Sequence, residues 1–138
     1  MKKSNQDIMR FSLSFPLELY NEMESDLTER QYSSRSEYIR DLFRERTIDK
    51  NWNKPEQDVM AVLCIVYDHH YKGITERLNV IQHQSKIHIQ CTTHVHLESH
   101  NCLENIIIKG RSKDIQAFAN QISALKGVQQ SQLVKLQQ

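Results

Sequence analysis

The sequence has few of the residues that mark fibrous, linker-like or disordered chains. Its 138 residues include 3 glycines and 2 prolines, too few for a collagen-like or low-complexity chain. The longest apolar run, Val59–Tyr67, is about half of the ~20 residues that a membrane-spanning helix needs, and the first residues contain no apolar stretch of signal-peptide length. We therefore expect one or two small globular domains in a soluble, cytoplasmic protein.

The chain also lacks a strong excess of positive charge. Its formal net charge is +1, and neither half is a polycation. Counterion release from nucleic acid therefore cannot be the main source of an affinity for DNA. If the protein binds DNA, the placement and regulation of the contacts must matter more than total charge.

Cysteine is scarce, whereas histidine is not. The 3 cysteines of a cytosolic chain cannot form a disulfide framework, so a cysteine with a special role is expected to be a metal ligand or a reactive thiol. We interpret Cys64 and Cys91 as small apolar core residues. The 7 histidines are concentrated between His83 and His100, which directs attention to metal binding there.

The N-terminal part of the chain predicts a strand followed by two helices. Apolar and polar residues alternate over Met9–Phe15, which indicates a half-buried strand, and Pro16 then begins a stretch with helical spacing. Ser34 and Glu37 form a capping box that opens a second helix. The polar segment 47–58 is interpreted as an interdomain linker, which gives an N-terminal domain of about residues 1–50.

So small a unit cannot bury a sufficient core alone and is expected to dimerise. The simplest closure pairs its strand with a symmetry mate as an antiparallel ribbon, a shape that fits the major groove of B-DNA. The capped end of the second helix would offer backbone N–H groups to a phosphate. The candidate DNA-binding residues are Arg10, Ser12, Ser14, Ser34, Arg35 and Ser36.

The rest of the chain predicts a second domain, residues 59–138, with the element order strand, helix, strand, strand, helix, strand. This order is a split βαβ, ferredoxin-like arrangement, so the fold class is α+β. The first strand is expected to be buried on both faces, because it is a continuous apolar run. The predicted elements are Val59–Tyr67, Tyr71–Ile81, Ile87–Leu97, Cys102–Lys109, Ser112–Leu125 and Val128–Leu136.

Two histidines and a cysteine follow the strand period next to a short turn. His94 and His96 are two residues apart, so their imidazoles project from one strand face, and Cys102 can return its sulfur to the same place across the turn. His83 is the natural fourth candidate, either from the same chain or across a subunit interface. Three imidazoles and a thiolate suit Zn²⁺, Ni²⁺ or Cu²⁺ and disfavour Mg²⁺ or Ca²⁺.

Other polar residues allow a plainer interpretation. The histidines outside this set, interpreted as surface residues, are His69, His70, His88 and His100. Glu37 and Asp41 are spaced i,i+4 and place two carboxylates on one helix face. That pair is either a solvated acidic patch or a cation site.

In these features the sequence resembles the nickel-responsive transcriptional regulators. The similarity runs from about Ile8 to the last strand, and the pattern of three histidines and one cysteine is specific. The residues that carry it are Arg10-Phe11-Ser12-Leu13-Ser14, Ser34-Arg35-Ser36-Glu37, Ile39-Arg40-Asp41, Tyr67-Asp68-His69-His70, Ile81-Gln82-His83, Cys91-Thr92-Thr93-His94-Val95-His96 and Asn101-Cys102-Leu103-Glu104.

The resemblance implies a ribbon-helix-helix DNA-binding domain followed by a ferredoxin-like, ACT-like regulatory domain. It implies a homotetramer, a dimer of dimers, with nickel sites between regulatory domains. His94, His96 and Cys102 of one subunit and His83 of its neighbour would bind Ni²⁺ in a square-planar arrangement. Glu104 would form hydrogen bonds around this site.

The same resemblance assigns roles in the N-terminal domain and makes the protein a metal-dependent repressor that binds a double-stranded DNA operator. Arg10, Ser12 and Ser14 would read the DNA from the ribbon. A second cation site of the family falls on Glu37 and Asp41.

Two other function classes are alternatives. Three protein ligands with water in a fourth position make a catalytic zinc site, but Glu104 is the only nearby carboxylate and matches no general base of a known zinc signature, so we expect no enzyme. A regulator that senses an amino acid at a subunit interface is the second alternative.

Overall fold

The computed structural model describes residues 9–97 and 100–136, so the predicted outer limits at residues 1, 8 and 138 lie outside the described residues. The chain folds as two compact units, Met1–Leu42 and Phe43–Gln138. None of the described helices is long and apolar enough to cross a membrane. The elements are α1 (Leu17–Glu29), α2 (Arg35–Trp52), β1 (Asp58–Asp68), α3 (Ile74–Gln84), β2 (His88–His96), β3 (Asn101–Arg111), α4 (Ser112–Ser123) and β4 (Val128–Leu136).

The first unit contains α1 and the first turns of α2. The backbone N–H of Glu37 donates to Ser34 Oγ at 3.2 Å, which confirms the predicted cap of the second helix. The Tyr38 hydroxyl of α2 donates to the Asp26 carboxylate of α1 at 2.6 Å. This donor lowers the pKa of Asp26, because it stabilises the charged form. Tyr38 and Met23 are buried in this unit.

The predicted strand at Met9–Phe15 has no helix or strand assignment in the single chain. Its apolar side chains are exposed, with Met9 at 85% and Phe11 at 70% of full exposure. A two-stranded ribbon needs a second copy of the strand, since a lone strand has no hydrogen-bond partner. The ribbon therefore stays a prediction, and these apolar side chains are the ones that it would cover.

The second unit contains a four-stranded sheet in the order β2-β3-β1-β4, with all neighbouring strands antiparallel. With α3 between β1 and β2, and α4 between β3 and β4, this is the predicted βαββαβ order, so the α+β, ferredoxin-like prediction is confirmed. Buried residues of the helices and strands, such as Ile74, Ile115 and Ile65, form one core. That core lies between the sheet and the two helices.

Strand β1 is fully buried on one face, whereas the sequence suggested burial on both. Leu63 and Ile65 lie in the core, while Val62 and Cys64 on the opposite face are half-buried. The apolar run was misleading because the helices of the single chain cover one face of the sheet. Cys91, on the open face of β2, is exposed rather than a core residue.

Two predicted boundaries move for local reasons. Helix α3 begins at Ile74 instead of near Tyr71, because Gly73 has a left-handed backbone with φ 79° that does not continue into a right-handed helix. Strand β3 continues past Gly110, because Gly110 is paired with Val59 of β1 and the ladder holds it in the strand.

Helix α2 extends to Trp52, so the first half of the predicted linker is helical. Trp52 is buried in the core of the second unit, and its indole N–H donates to the Leu136 carbonyl at 3.4 Å. Tertiary packing thus overrides a polar local sequence. The following segment is held too, since the Ser112 hydroxyl donates to the Lys54 carbonyl at 2.7 Å and the Ser112 N–H donates to the Gln57 carbonyl at 3.0 Å.

Candidate metal centre

Three neighbouring strand ends bring the candidate ligands together. Cys102, near the start of β3, is paired with His96 at the end of β2 and with Tyr67 near the end of β1. Directly paired residues of antiparallel strands project from the same face of the sheet, which here is the face that the helices cover. The pairing therefore places the fully buried sulfur of Cys102 between side chains of both adjacent strands.

The Cys102 sulfur has two imidazole neighbours. Its Sγ lies 3.5 Å from His69 Nδ1 and 3.3 Å from His96 Nδ1. The donor atoms of these three residues all lie within 4.8 Å of one another. Ligand atoms at such separations can reach one ion, because metal–sulfur and metal–nitrogen bonds measure ~2.0–2.3 Å.

His94 lines the same cavity as His96 and Cys102. The centroids of the His94 and His96 rings are 4.9 Å apart, as the two-residue strand period predicts. The Nδ1 atom of His94 lies 3.4 Å from the Tyr67 hydroxyl and 3.9 Å from Glu104 Oε2. His94 is therefore at the cavity with its ring next to a hydroxyl and a carboxylate.

Glu104 is a buried carboxylate in the wall of this cavity. Its side chain shares a strand face with Cys102, as the alternation predicts, and the residue is 6% exposed. It accepts hydrogen bonds from Gln82 Nε2 at 3.0 Å and from the Tyr67 hydroxyl at 3.3 Å. These donors offset the cost of burying a charge, and the fixed carboxylate can orient His94 and attract a cation.

The site favours protonated forms of its thiol and its phenol. Burial raises the pKa of the Cys102 thiol, and the charge of Glu104 raises it further. Burial also raises the pKa of the Tyr67 hydroxyl, as do the charges of Glu104 and Cys102 and the hydrogen bond to Glu104. Tyr67 therefore acts as a donor. A cation bound at Cys102 would oppose these effects by stabilising the thiolate.

His83 lies outside this group of side chains. It is exposed in the last turn of α3 and is not among the described residues that line the cavity. An exposed imidazole at a helix end is accessible to another molecule. Its predicted role as the ligand from a neighbouring subunit stays a prediction.

His69 is the residue that the sequence interpretation missed. It follows the last residue of β1, and its N–H donates to the His100 carbonyl at 2.9 Å. The signal was present in the predicted topology, because pairing β1 antiparallel to β3 places the end of β1 beside the beginning of β3. A histidine just after β1 is therefore expected close to Cys102.

All six predicted DNA-binding residues are exposed in the first unit. Ser34 is used as the helix cap. The guanidinium of Arg35 donates to the Glu24 carboxylate and, at 2.9 Å, to the Tyr20 hydroxyl. Contact of Arg35 with a phosphate would therefore compete with an existing ion pair. The six residues are Arg10, Ser12, Ser14, Ser34, Arg35 and Ser36.

Glu37 and Asp41, the predicted second cation site, each accept a hydrogen bond from a hydroxyl group. Ser33 donates to Glu37, and Tyr32 donates to Asp41 at 3.1 Å. Within residues 9–97 and 100–136, neither carboxylate belongs to a cluster of three or more metal-binding side chains. The second cation site stays a prediction.

The donor set around Cys102 fits a transition metal of borderline softness. A thiolate and neutral imidazoles are ligands of Zn²⁺, Ni²⁺ and Cu²⁺, whereas Mg²⁺ and Ca²⁺ prefer several oxygen ligands. The group lies at a cavity of about 480 Å³ with Glu104 as an outer hydrogen-bonding partner. The residues of this site therefore match a nickel ion in chemistry.

Comparison with known proteins agrees with this chemistry. The family model described as "NikR C terminal nickel binding domain" matches residues 60–136. A protein of Helicobacter acinonychis (strain Sheeba), named as a nickel-responsive regulator, is 43% identical, with 98% of this chain and 95% of the relative covered. A protein of Campylobacter concisus (strain 13826) with the same name is 41% identical, with 93% of each covered. These names describe regulators rather than enzymes.

Solved structures that resemble the second unit show its fold. The ACT domain from GTP pyrophosphokinase of Chlorobium tepidum matches with a TM-score of 0.50 and 14% identity, covering 56% of this chain and 99% of that chain. An uncharacterized protein from Thermotoga maritima matches with a TM-score of 0.50 and 18% identity, covering 58% and 99%. These likenesses support the ACT-like description of the second unit.

Proposed function

This chain belongs to the nickel-responsive regulator family, and from this premise we propose that it is a transcriptional repressor whose binding to a DNA operator requires Ni²⁺. The observation that carries the proposal is the buried sulfur of Cys102 with His69 and His96 within 3.5 Å. When bound, Ni²⁺ would supply a positive charge that holds a thiolate and imidazoles together.

We propose His94, His96 and Cys102 of one chain and His83 of a neighbouring chain as the nickel ligands. The first three line one cavity, and His83 is exposed at the end of α3, where another chain can reach it. His69 is a rival for the fourth position, because its Nδ1 lies 3.5 Å from the sulfur. The two sets differ in whether a second chain is needed to complete the site.

Substituting the two rival histidines separates these ligand sets. We expect His83→Ala to lower the affinity for Ni²⁺ by on the order of 100-fold, since removing one of four ligands forfeits about a quarter of the binding energy. We expect His69→Ala to lower it by about tenfold, the lower end of the range for a partner outside the ligand set. The measurement is a competition titration of Ni²⁺ against a chelator. His88→Ala is the matched control, because His88 is exposed at the far end of β2.

The reverse result, a larger loss in His69→Ala than in His83→Ala, would replace the intersubunit set by a set within one chain. Sedimentation of each variant with and without Ni²⁺ adds an independent test. A ligand from a neighbour makes nickel affinity depend on assembly, whereas a set within one chain does not.

Nickel binding would act on DNA through assembly. Because a metal that bridges two chains binds an ordered tetramer better than a loose one, it shifts the population toward the ordered form. Two ribbon dimers held in one tetramer then bind two DNA half-sites together, and effective concentration strengthens the attachment without any new contact. The exposed Arg10, Ser12 and Ser14 would contact the bases.

Selection from a random-sequence pool of duplex DNA tests the regulatory function directly. We expect the full chain to enrich a paired half-site motif in the presence of Ni²⁺ and to enrich none, or the same motif far more weakly, when a chelator removes the metal. Arg10→Ala should abolish enrichment while leaving Ni²⁺ binding unchanged, because Arg10 belongs to the first unit and the proposed nickel ligands belong to the second. Enrichment that is equal with and without nickel would refute metal-dependent DNA binding.

A further inference from the structure

The loop at residues 69–73 carries His69 between β1 and α3. Its start is fixed to the residues that precede β4 and β3, because the Asp68 N–H donates to the Gly127 carbonyl at 2.9 Å and the His69 N–H donates to the His100 carbonyl at 2.9 Å. Neither contact alone sets the path of the following residues. A further contact must therefore set the path of the loop, and this path determines whether the His69 ring reaches the Cys102 sulfur.

A tight turn returns the loop toward the beginning of β4. The His70 N–H donates to Asp68 Oδ1 at 2.9 Å, and the Tyr71 N–H donates to the Asp68 carbonyl at 3.1 Å. This turn places the Tyr71 side chain directly against Gly127. Tyr71 is 39% exposed, so its side chain covers one backbone position while a large part of it faces solvent.

Because Gly127 has no side chain, the Tyr71 side chain can pack against its backbone. Its backbone has φ +104°, and a Cβ atom at this position would lie 3.0 Å from Cβ and Cγ of Tyr71, closer than carbon atoms approach without repulsion. Any other residue would therefore require Tyr71 to shift by a few tenths of an ångström. Because Tyr71 is two residues from His69, such a shift would propagate through the turn to the imidazole.

We propose that Tyr71, packed against Gly127, is a positioning residue that fixes His69 beside the Cys102 sulfur of the metal centre. This inference rests on the proposed nickel site and adds two residues that do not touch the ion. Tyr71 packs in the space that Gly127 leaves free. The turn that begins at Asp68 then carries this restraint from Tyr71 to the imidazole of His69.

The test uses a background in which His69 matters most. In the His83→Ala variant, the proposed ligand from the neighbour is gone, and His69, whose Nδ1 lies 3.5 Å from the Cys102 sulfur, is the candidate to take its place beside His94, His96 and Cys102. We expect Gly127→Ala to lower the residual affinity for Ni²⁺ by about 10- to 100-fold, the range for losing support of a metal ligand. Adding His69→Ala to Gly127→Ala should cause no further loss, because the imidazole is already displaced. Tyr71→Ala should reproduce the effect, and Tyr71→Phe should restore it.

Gly73→Ala is the matched control. Gly73 also has a positive φ, +79°, and lies in the same loop, but a Cβ there has open space with Arg77 Nε at 4.0 Å as its nearest neighbour. It therefore introduces backbone strain without a collision at Tyr71. In the protein without added metal, the His69 ring resonances in an NMR spectrum should shift in Gly127→Ala and stay close to their original positions in Gly73→Ala.

Each failure has a separate meaning. If the original chain binds no Ni²⁺, the proposed function fails. If it binds Ni²⁺ but His69→Ala has no effect in the His83→Ala background, His69 is not part of the site and the positioning inference is overturned. The inference is overturned equally if Gly127→Ala keeps full affinity, or if its loss adds to that of His69→Ala.

Discussion

Replacing Cys102 with serine is expected to lower the affinity for Ni²⁺ by about 100- to 1000-fold and to remove nickel-dependent DNA binding. Four-ligand structural sites bind with apparent energies of about 10–16 kcal/mol, so one ligand contributes about 2.5–4 kcal/mol. Serine keeps the size of the side chain but offers a hard hydroxyl oxygen that does not ionise at neutral pH, whereas the thiolate is the soft donor of the set. A chelator competition titration measures the loss, and the thiolate-to-nickel absorption band should disappear.

Cys91→Ser is the matched control for this change. Cys91 lies on β2 opposite Ile107 of β3, on the open face of the sheet, and it is exposed. The substitution therefore removes one thiol from the same sheet without touching the metal centre. Unchanged nickel affinity in Cys102→Ser, or an equal loss in Cys91→Ser, would contradict the site.

The grouping of His94, His96 and Cys102 at one cavity was largely predictable because it follows strand geometry. The two-residue period places His94 and His96 on one face, and a short turn returns Cys102 to the same end of the sheet. These relations depend on neighbouring residues in the chain, so periodicity reveals them. Which ring turns toward the sulfur depends instead on contacts with Tyr67 and Glu104, and periodicity carries no information about them.

The features that the sequence interpretation missed depend on contacts between distant residues. Trp52 extends α2 through a segment that looks like a linker, because residues more than eighty positions away, such as Leu136, bury it. His69 reaches Cys102 through the β1–β3 pairing and the loop that Tyr71 holds. The ribbon at Met9–Phe15 is a different case, because the sequence predicts it and its pairing needs a second chain, so it stays a prediction.

The affinity for Ni²⁺ is expected to rise about tenfold per pH unit from pH 7 to pH 8, because binding releases the Cys102 proton. Burial and the charge of Glu104 raise the pKa of this thiol, so the sulfur keeps its proton to a higher pH than an ordinary thiol and the metal must displace that proton. An ordinary thiol, with a pKa of about 8.5, would let the dependence flatten below pH 9. Competition titrations in buffers that do not bind nickel measure this slope.

Glu104→Gln separates the two causes of the raised pKa of Cys102, which are burial and the charge of Glu104. The glutamine keeps the shape of the side chain and removes its charge, so the pKa of Cys102 falls and the slope of affinity against pH should flatten at a lower pH. The same change should still lower the nickel affinity at neutral pH by about 10- to 100-fold, the range for outer partners of a metal site. This is because the attraction between the Glu104 carboxylate and the doubly charged ion is larger than the repulsion between the carboxylate and the Cys102 thiolate. Calorimetry in buffers of different ionisation enthalpy counts the released protons, and a count of zero at pH 7.5 would contradict a protonated Cys102 as the nickel ligand.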